Sequence, residues 1–329
     1  MRNRMLNIAL SLAAVALLAV LIVNSNPSAI VKTLSNANPV FVAGALFVTV
    51  SIIAIKIVRW RLLLDAIGIK VTAAEITKPY MASLFISNIT PGRVGEPVRS
   101  YYFKRSLGYP ISKTLPTILL ERILDMSALA AFYIFGLFTL VAFLNKLLAI
   151  GIGLVVLGLI LVFVAASNKR LLTFLFDRFY SLFKFIPAIK KLRKKLEKLP
   201  GNFHAGFILA SKSRQMPLII IITLIAWVME FLIIKLSFLA INVNVPFTVI
   251  ASIASVATII GLLTFLPGNI GSFEASAAFF LTQAVPNMTL ATATSGILLY
   301  RISSLLFALL ISSPSFIGYH TTESKAFRA

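Results

Sequence analysis

Long apolar runs separated by short polar stretches are the main pattern of this 329-residue chain. A run of roughly 18 or more apolar residues is long enough to cross the hydrocarbon core of a bilayer as a helix. The pattern therefore predicts an all-α, polytopic membrane protein that forms a single transmembrane domain over residues 1–329. Six full spans are predicted, at about residues 5–23, 39–58, 114–144, 147–166, 217–241 and 289–312.

The first apolar run follows the basic sequence MRNR, which is also the way in which a secretory signal peptide begins. The run is longer than the apolar region of about 7–15 residues that a signal peptide carries. We therefore favour a first helix that is retained in the membrane over a segment that is removed.

Two further apolar regions, at about residues 73–108 and 247–285, are each interrupted by a proline–glycine turn. The turns read PGRVG from Pro91 and PGNIG from Pro267, and each region lies between two full spans. This agreement in sequence and context favours a duplicated unit. When the predicted membrane crossings are counted along the chain, the first hairpin enters from the cytoplasmic face and the second from the external face. The two halves would then have opposite orientations, which predicts an inverted repeat of the kind found in secondary transporters. Arms that re-enter on the same face and arms that cross the whole membrane in pairs place the following span on the same side. The topology therefore leaves both kinds of hairpin possible.

The segment 168–214 is the one sizeable polar region, and it mixes aromatic and aliphatic residues with Lys and Arg at helical spacing. This pattern is typical of a basic amphipathic segment that lies on the membrane surface and contacts anionic lipid. Because basic loops stay in the cytoplasm, this segment and both termini are predicted to be cytoplasmic. The loops near Lys32 and Lys146 are predicted to be external, and the location is predicted to be the cell membrane.

Composition strengthens the membrane prediction and removes several classes of function. The chain is 59% hydrophobic and 12% charged, with a net charge of +21, whereas soluble domains contain about 25% charged residues. The basic residues lie between membrane segments and no nucleic-acid motif is present, so nucleic acid is not an expected partner. The chain has no cysteine, and its histidines, His204 and His320, fall in a loop and the tail. Neither a metal site nor a cofactor is therefore expected.

The first turn carries three charges beside two glycines, namely Arg93, Glu96 and Arg99 around Gly95. Irregular backbone at membrane depth is tolerated only where it is buried in protein or lines a wet cavity. A broken helix exposes backbone N–H groups that favour anions, and arginine pairs well with phosphate. The stretch is therefore a candidate lipid-headgroup site, and the alternative is an interfacial loop whose arginines touch lipid headgroups without specificity.

Further charges fall inside the predicted spans, where each costs about 2.5–3.5 kcal/mol at the bilayer centre. Glu121 and Asp125 are four residues apart and share a helix face, and Arg122 is placed to pair with Asp125. Glu230 and Arg301 each lie in the middle of a span. We expect these two to face each other or a polar cavity, and the alternative is a structural ion pair that fixes helix packing.

The motif TPGRVGEPVR, the segment ERILD, the glutamate of AWVMEF and the later LPGNIGSFE together resemble the transmembrane region of lysylphosphatidylglycerol synthases, a flippase-like membrane family. The resemblance covers the chain from about the second span to the last. Larger members attach a cytosolic aminoacyl-transferase domain, and nothing after Ser312 is expected to supply that domain. The resemblance implies lipid translocation, and the matching positions are Arg93, Glu96, Arg99, Glu121, Arg122, Asp125, Glu230, Glu274 and Arg301.

The resulting hypothesis is a flippase or scramblase, not an enzyme, that moves an anionic or aminoacylated phospholipid or a polyprenyl-phosphate-linked lipid. No G-x-x-x-x-G-K-[ST] motif for ATP is present. One alternative is a membrane-embedded lipid transferase that uses Glu121 or Asp125 as its base. Another is an accessory subunit that holds a separate synthase at the membrane, and the sequence is compatible with a homo-oligomer.

Overall fold

The computed structural model describes residues 2–91, 95–140, 146–183 and 199–326. Within these ranges the chain is helical, and its β-type pairing is limited to a single bridge. The predicted all-α class is therefore confirmed. The α-helices are α1 (Arg2–Asn24), α2 (Pro27–Ser35), α3 (Pro39–Ala66), α4 (Ala73–Ile89), α5 (Val98–Leu107), α6 (Ile111–Leu140), α7 (Lys146–Ser167), α8 (Lys169–Phe183), α9 (Leu199–Ser211), α10 (Met216–Ala240), α11 (Phe247–Leu263), α12 (Ser272–Ala284), α13 (Leu290–Arg301) and α14 (Phe307–Ala326).

Several of these helices are long and apolar enough to cross a membrane. Among the described residues, three helical stretches are long and apolar enough to span a bilayer: Pro39–Ala66, Met216–Ala240 and the continuous stretch Leu290–Tyr319. A fourth span is added if Ala9–Asn24 and Pro27–Ser35 are taken together, although they meet at a bend of 86°. The loop predicted to be external around Lys32 therefore contains the short helix α2.

Local sequence explains where the helices begin. Asn38 accepts a hydrogen bond from the backbone N–H of Val40, and Pro39 fills the first helical position, where no N–H is needed. At α4, Thr72 and Glu75 form a reciprocal capping box, since each side chain bonds to the backbone of the other residue. These caps satisfy backbone donors that would otherwise be unpaired at a helix start.

Two sets of helices repeat the same order, namely a span, a short arm, a turn, a second arm and a span. The first set is α3 to α6, and the second is α10 to α14. The leading spans α3 and α10 pack along each other, whereas the first arm of each hairpin packs on the final span of the other set, α4 on α14 and α11 on α6. Each set thus packs its first hairpin arm on the last span of the other set, as two repeats related by an axis between them would do.

The two proline–glycine turns meet inside the bundle. Pro91 and Pro267 form an isolated antiparallel bridge. Gly268 has a φ of +60°, and a Cβ at this position would lie 2.8 Å from the carbonyl oxygen of Asn88, so the contact requires glycine. The two predicted hairpins are therefore held tip to tip, which the sequence alone did not indicate.

The last predicted span, 289–312, is not one regular α-helix. A π-helical turn, Ile302–Leu306, separates α13 from α14 and follows directly after Arg301. The hydroxyl of Thr49 in α3 donates to the carbonyl oxygen of Ser303 at 2.9 Å, and it thereby binds a carbonyl inside the irregular turn. Such π-turns within α-helices are often found at functional sites.

The polar segment 168–214 differs in part from the amphipathic surface segment that its sequence predicts. It contains α8 and α9, and residues 184–198 lie outside the described part of the chain. Phe203, Phe207 and Ala210 of α9 are buried against α6 and α8. α9 is therefore part of the protein core, because its aromatic face is covered by helices instead of lipid.

Candidate functional site

Arg59 lies at the centre of a buried charged cluster between α3 and α6. Its side chain is 1% exposed and forms a bidentate pair with Asp125, with Nη1–Oδ1 and Nη2–Oδ2 distances of 2.6 and 3.2 Å. Its Nε lies 3.3 Å from a carboxylate oxygen of Glu121. Glu121 and Asp125 thus share a helix face as predicted, and they use it to hold one guanidinium. Arg59 is not among the site residues predicted from the sequence.

Arg99 reaches the same cluster from the beginning of α5. Its Nη2 donates to the second carboxylate oxygen of Glu121. The guanidinium lies over the rings of Trp60 and Tyr80, with 4.3 and 4.9 Å between its central carbon and the ring centroids. Its Nε is buried without a hydrogen-bond partner. Arg99 is therefore held by one carboxylate and two aromatic faces, and it retains one unused donor.

Arg122 and Glu96 form the accessible edge of the cluster. Nε of Arg122 lies 2.7 Å from Glu96, and its Nη2 lies 3.1 Å from Asp125, which is the contact expected from their spacing. The side chains of Arg122 and Glu96 are 32% and 16% exposed, whereas Asp125 is 3% exposed. Trp227 of α10 also donates to Asp125 at 3.3 Å. The second set of helices therefore contributes directly to the cluster.

Gly95 allows Glu96 to reach the cluster from the turn. A Cβ at position 95 would lie 2.8 Å from the backbone of Ile86 and Ser87, so the turn packs directly on α4. The N–H of Gly95 donates to the hydroxyl of Thr90 at 3.0 Å, which fixes the turn. Arg93, the other predicted cation of this turn, lies outside the described residues.

The second turn builds a smaller charged group around Arg301. Nε of Arg301 lies 2.5 Å from Glu274, and its Nη2 donates to the carbonyl oxygen of Asn269 at 3.3 Å. Glu274 also accepts the N–H of Gly271 at 2.6 Å, so one carboxylate caps the turn and binds the arginine. Arg301 therefore fastens the last span to the second hairpin, with its guanidinium 4.4 Å from the ring centroid of Phe273.

Glu230 does not pair with Arg301, so the alternative expectation of a structural ion pair between them is wrong. The hydroxyl of Tyr300 donates to Glu230 at 2.8 Å, and Arg301 is occupied by Glu274. Packing decides this choice, because α12 brings a carboxylate closer to Arg301 than α10 does. Glu230 and Arg301 instead line the same polar cavity, together with Lys56, as the first expectation allowed.

The model of the family described as "Lysylphosphatidylglycerol synthase TM region" matches residues 5–312 of the chain. The chain belongs to this family. It is also 25% identical to a UPF0104 membrane protein of Methanothermobacter thermautotrophicus over 286 residues, which cover 82% of this chain and 83% of the relative. A UPF0104 membrane protein of Methanocaldococcus jannaschii is 23% identical, with coverage of 88% and 86%. The glycosyltransferase AglD of Haloferax volcanii is 27% identical over 119 residues, 36% of this chain and 19% of that protein.

In this member of the lysylphosphatidylglycerol synthase transmembrane family, two cavities adjoin the charged groups. The cavity beside Glu230 and Arg301 has a volume of about 70 Å³, and the one between Arg59, Arg99 and Arg122 has a volume of about 20 Å³. Since a cavity needs roughly 10–15 Å³ to hold one water, both accept water but neither accepts a lipid headgroup as it stands. Tyr80 and Leu84 of α4 line both cavities, so one helix wall separates them.

Among the residues that the structure describes, the charges around the two cavities balance. The cations are Arg59, Arg99, Arg122, Arg301 and Lys56, and the anions are Glu96, Glu121, Asp125, Glu230 and Glu274. Each arginine contacts at least one carboxylate, so the burial cost of one charge is offset by another. An incoming anion would therefore replace a carboxylate at an arginine, and an incoming amine would replace an arginine at a carboxylate. No group of three His, Asp or Glu in the described residues is arranged to hold a metal ion.

Proposed function

We propose that this protein moves a lipid with an anionic or aminoacylated headgroup across the bilayer, acting as a flippase or scramblase. The substrate is a phospholipid or a polyprenyl-phosphate-linked lipid, and a separate synthase would supply it. The observation that carries the proposal is the buried cluster of Arg59, Arg99 and Arg122 with its partner carboxylates. Charges inside a membrane domain are costly, and they mark the paths of ions and substrates.

The exposed edge of the cluster is the proposed contact for the headgroup. Arg122 is one-third exposed and offers a planar fork that suits phosphate. Its partner Glu96 lies on the first turn and would bind an amine on the same headgroup. A lipid headgroup that carries both a phosphate and an amine would break the Arg122–Glu96 ion pair and form one ion pair with each of these residues. Neither side chain would then be left without a charged partner when the lipid binds.

The family model and the topology of the chain also support lipid movement. The family includes lysylphosphatidylglycerol synthases, whose product is an aminoacylated lipid. The distribution of Lys and Arg favours cytoplasmic termini in the cell membrane, and the protein would act there without transferring groups between molecules. An ATP-binding loop is not present in the sequence, so the proposed movement runs down a gradient or is coupled to an ion.

Movement of fluorescent phosphatidylglycerol in proteoliposomes containing the purified protein tests the proposal. Arg122→Gln should lower the initial rate about tenfold or more, because a hydrogen bond to a charged group contributes roughly 1.5–3 kcal/mol. Arg61→Gln is the matched control, since Arg61 is exposed on α3 and bonds only to the carbonyl oxygen of Val71 in the contacts described. Wild-type protein that gives no movement above protein-free liposomes would refute the proposal.

A second candidate is a membrane module that serves glycosyl transfer. It is favoured by the match to part of the glycosyltransferase AglD, which spans 119 residues. In that case the protein would present a polyprenyl-phosphate lipid to a transferase instead of moving it. The two functions separate when the protein is reconstituted alone, because only lipid movement requires no partner. Transfer of a labelled sugar to polyprenyl phosphate by the purified chain would instead identify it as a transferase.

A further inference from the structure

Two residues of α4, Tyr80 and Leu84, line both cavities that adjoin the charged groups. We call these the Glu230 cavity, of about 70 Å³, and the Arg122 cavity, of about 20 Å³. Tyr80 and Leu84 are four residues apart, so they lie on one face of α4, a turn from each other. The two cavities are therefore neighbours, and side chains of α4 form the wall that divides them.

α3 borders the same two cavities. Lys56 lines the Glu230 cavity, and Arg59, three residues further along the helix, lines the Arg122 cavity. Three residues are less than one helical turn, so the two basic side chains follow each other closely along α3. A phosphate that moved from one cavity to the other would thus meet a basic side chain of α3 in each.

Each cavity is lined by a carboxylate and a guanidinium. Glu96 and Arg122 line the Arg122 cavity, and Glu230 and Arg301 line the Glu230 cavity. Charged groups at membrane depth are costly, and they mark the paths of substrates. A headgroup with a phosphate and an amine would find partners for both charges in either cavity, so the two cavities suit successive positions of one headgroup.

The ring of Tyr80 is held in the wall by Arg99. Tyr80 is 8% exposed, and the central carbon of the Arg99 guanidinium lies 4.9 Å from the centroid of its ring. The ring of Trp60 also lies beside it, with centroids 6.2 Å apart. A cation over an aromatic face is attracted to it, and the attraction is stronger away from water. Arg99 is therefore a latch that keeps the Tyr80 ring between the two cavities.

The latch also faces the arriving headgroup. Arg99 lines the Arg122 cavity, and its Nε is buried without a hydrogen-bond partner. A phosphate oxygen that entered this cavity would offer Nε an acceptor, and hydrogen bonds between two charged groups are stronger than neutral ones. The phosphate and the Tyr80 ring would then compete for the same guanidinium. Arrival of the headgroup would thereby weaken the contact that keeps the wall closed.

We propose that the path of the lipid headgroup continues from the Arg122 cavity into the Glu230 cavity, and that Tyr80 is the gate between them. With the ring in place, the cavities are separate and each has room only for water. When a phosphate draws Arg99 away, the ring turns aside and the cavities join into one polar space. We take entry at the Arg122–Glu96 edge from the proposed function, on which this path rests.

Single thiols on the two sides of the gate test the proposal, because the native chain has no cysteine. Ser83 lines the Arg122 cavity and Ser304 lines the Glu230 cavity, so Ser83→Cys and Ser304→Cys place one thiol in each. The reagent is sulfonatoethyl methanethiosulfonate, whose anionic group stands in for phosphate and does not cross the bilayer. It is added to intact cells and to inverted membrane vesicles, which expose opposite faces. Ser304→Cys is then labelled from the face on which Ser83→Cys reacts faster.

Tyr80→Ala should speed the labelling of Ser304→Cys about tenfold or more, since a minor open state is typically populated at about 10% or less. Arg99→Gln should speed it about fivefold, which corresponds to about 1 kcal/mol of lost cation–π attraction. Tyr80→Phe keeps the ring and should leave the rate unchanged. Tyr133→Ala is the matched control, because it removes a buried tyrosine ring of α6 that lines neither cavity.

Thermal unfolding in detergent checks that each variant is folded, and Tyr80→Leu, which also removes the ring, replaces Tyr80→Ala if the latter does not fold. An unchanged labelling rate after removal of the ring would overturn the proposal. Equal acceleration by Tyr133→Ala would also overturn it, because the effect would then be a general loosening of the bundle. An unchanged rate in Arg99→Gln would show that Arg99 is not the latch.

The labelling requires no lipid movement, so failure of the gate and failure of the proposed function give different results. A protein that moves lipid, but whose Ser304→Cys thiol reacts at the same rate with and without the Tyr80 ring, would lack this gate and keep the proposed function. Acceleration by Tyr80→Ala in a protein that moves no lipid would keep the gate and refute the proposed function.

Discussion

At the scale of single residues, Arg59 should be the most sensitive charged position in the chain. Arg59→Gln leaves Asp125 and Glu121 with one guanidinium fewer, and breaking a buried pair in this way costs about 3–5 kcal/mol. Thermal unfolding in detergent should therefore show a large drop in Tm. Adding Asp125→Asn should recover part of the loss, because it removes the carboxylate that Arg59→Gln leaves uncompensated.

Arg61→Gln provides the matched comparison for Arg59→Gln. Arg61 is two residues away on the same helix, but it is exposed and bonds to the backbone carbonyl oxygen of Val71. Substitutions at such surface positions usually change stability by less than about 0.5 kcal/mol. Equal losses of stability from the two substitutions would show that the Arg59 cluster does not hold the bundle together.

The partner of Arg301 gives a second test at this scale. Arg301 and Glu274 are 2.5 Å apart, so a double-mutant cycle with Arg301→Gln and Glu274→Gln should give a coupling energy of about 1 kcal/mol or more. The same cycle with Glu230→Gln should give a smaller value, because Glu230 is held by Tyr300. Unfolding of the four proteins in each cycle measures both energies. A larger coupling to Glu230 would contradict the observed pairing.

Some of these residues can be predicted from the sequence and some cannot. Glu121, Arg122 and Asp125 were identified because a charge within an apolar run is conspicuous and helical spacing fixes its neighbours. Arg59 was missed because it follows the apolar run among other cations. A signal was present, since Arg59 is four residues from the buried Leu63, which places it on an inward face. The Arg301–Glu274 pair depends on how the second hairpin docks, and spacing along one helix cannot supply that.

At the scale of elements, the close packing of the first turn should depend on Gly95. An alanine Cβ there would lie 2.8 Å from the backbone of Ile86 and Ser87, and backbone cannot yield as a side chain can. Gly95→Ala should therefore lower Tm and reduce lipid movement, because Glu96 is displaced from Arg122. The reason is close approach, since Gly95 is not among the glycines with positive φ.

Gly201→Ala is the control for this substitution. Gly201 lies in α9, where a Cβ meets nothing within 4 Å, and alanine favours a helix over glycine by about 1 kcal/mol. Its Tm should stay the same or rise slightly. A Tm for Gly95→Ala as high as that of Gly201→Ala would show that the turn can move away from α4 without cost.

The hairpins themselves were predictable, but their meeting was not. Proline and glycine limit the backbone so strongly that two interrupted apolar regions indicate two turns. The bridge between Pro91 and Pro267, and the packing of each first arm on the other set's last span, depend on contacts between distant parts of the chain. The π-turn after Arg301 was also missed, since Ile302–Leu306 reads as ordinary helix.

At the scale of the whole molecule, the orientation in the membrane gives a direct prediction. Lys212→Cys should react with an impermeant maleimide only after the cells are opened, because the basic segment 168–214 is expected to be cytoplasmic. Lys32→Cys should react in intact cells. Both are single thiols in a chain without cysteine, so the labelled band reports one position. Reaction of Lys212→Cys in intact cells would reverse the proposed topology.

The last prediction concerns the contact between the two hairpin tips. The cavities of about 70 and 20 Å³ are too small for a phospholipid headgroup, so lipid movement requires the two sets of helices to separate. The tips touch at Pro91 and Pro267, where antiparallel pairing brings the Cα atoms to about 4.5–5.5 Å. This is within the range of about 4.4–6.8 Å that a disulfide needs.

Pro91→Cys with Pro267→Cys should therefore form a disulfide on oxidation, and this crosslink should stop lipid movement in proteoliposomes. Reductant should restore the rate of the same sample, which separates locking from damage caused by the substitutions. Pro91→Cys alone, treated with the same oxidant, should keep the rate that it has before oxidation. Full movement in the crosslinked protein would mean that the tips are a fixed support and that the headgroup passes elsewhere. Because the bridge joins the two sets of helices, a block that depends on the disulfide would place their separation within the transport cycle.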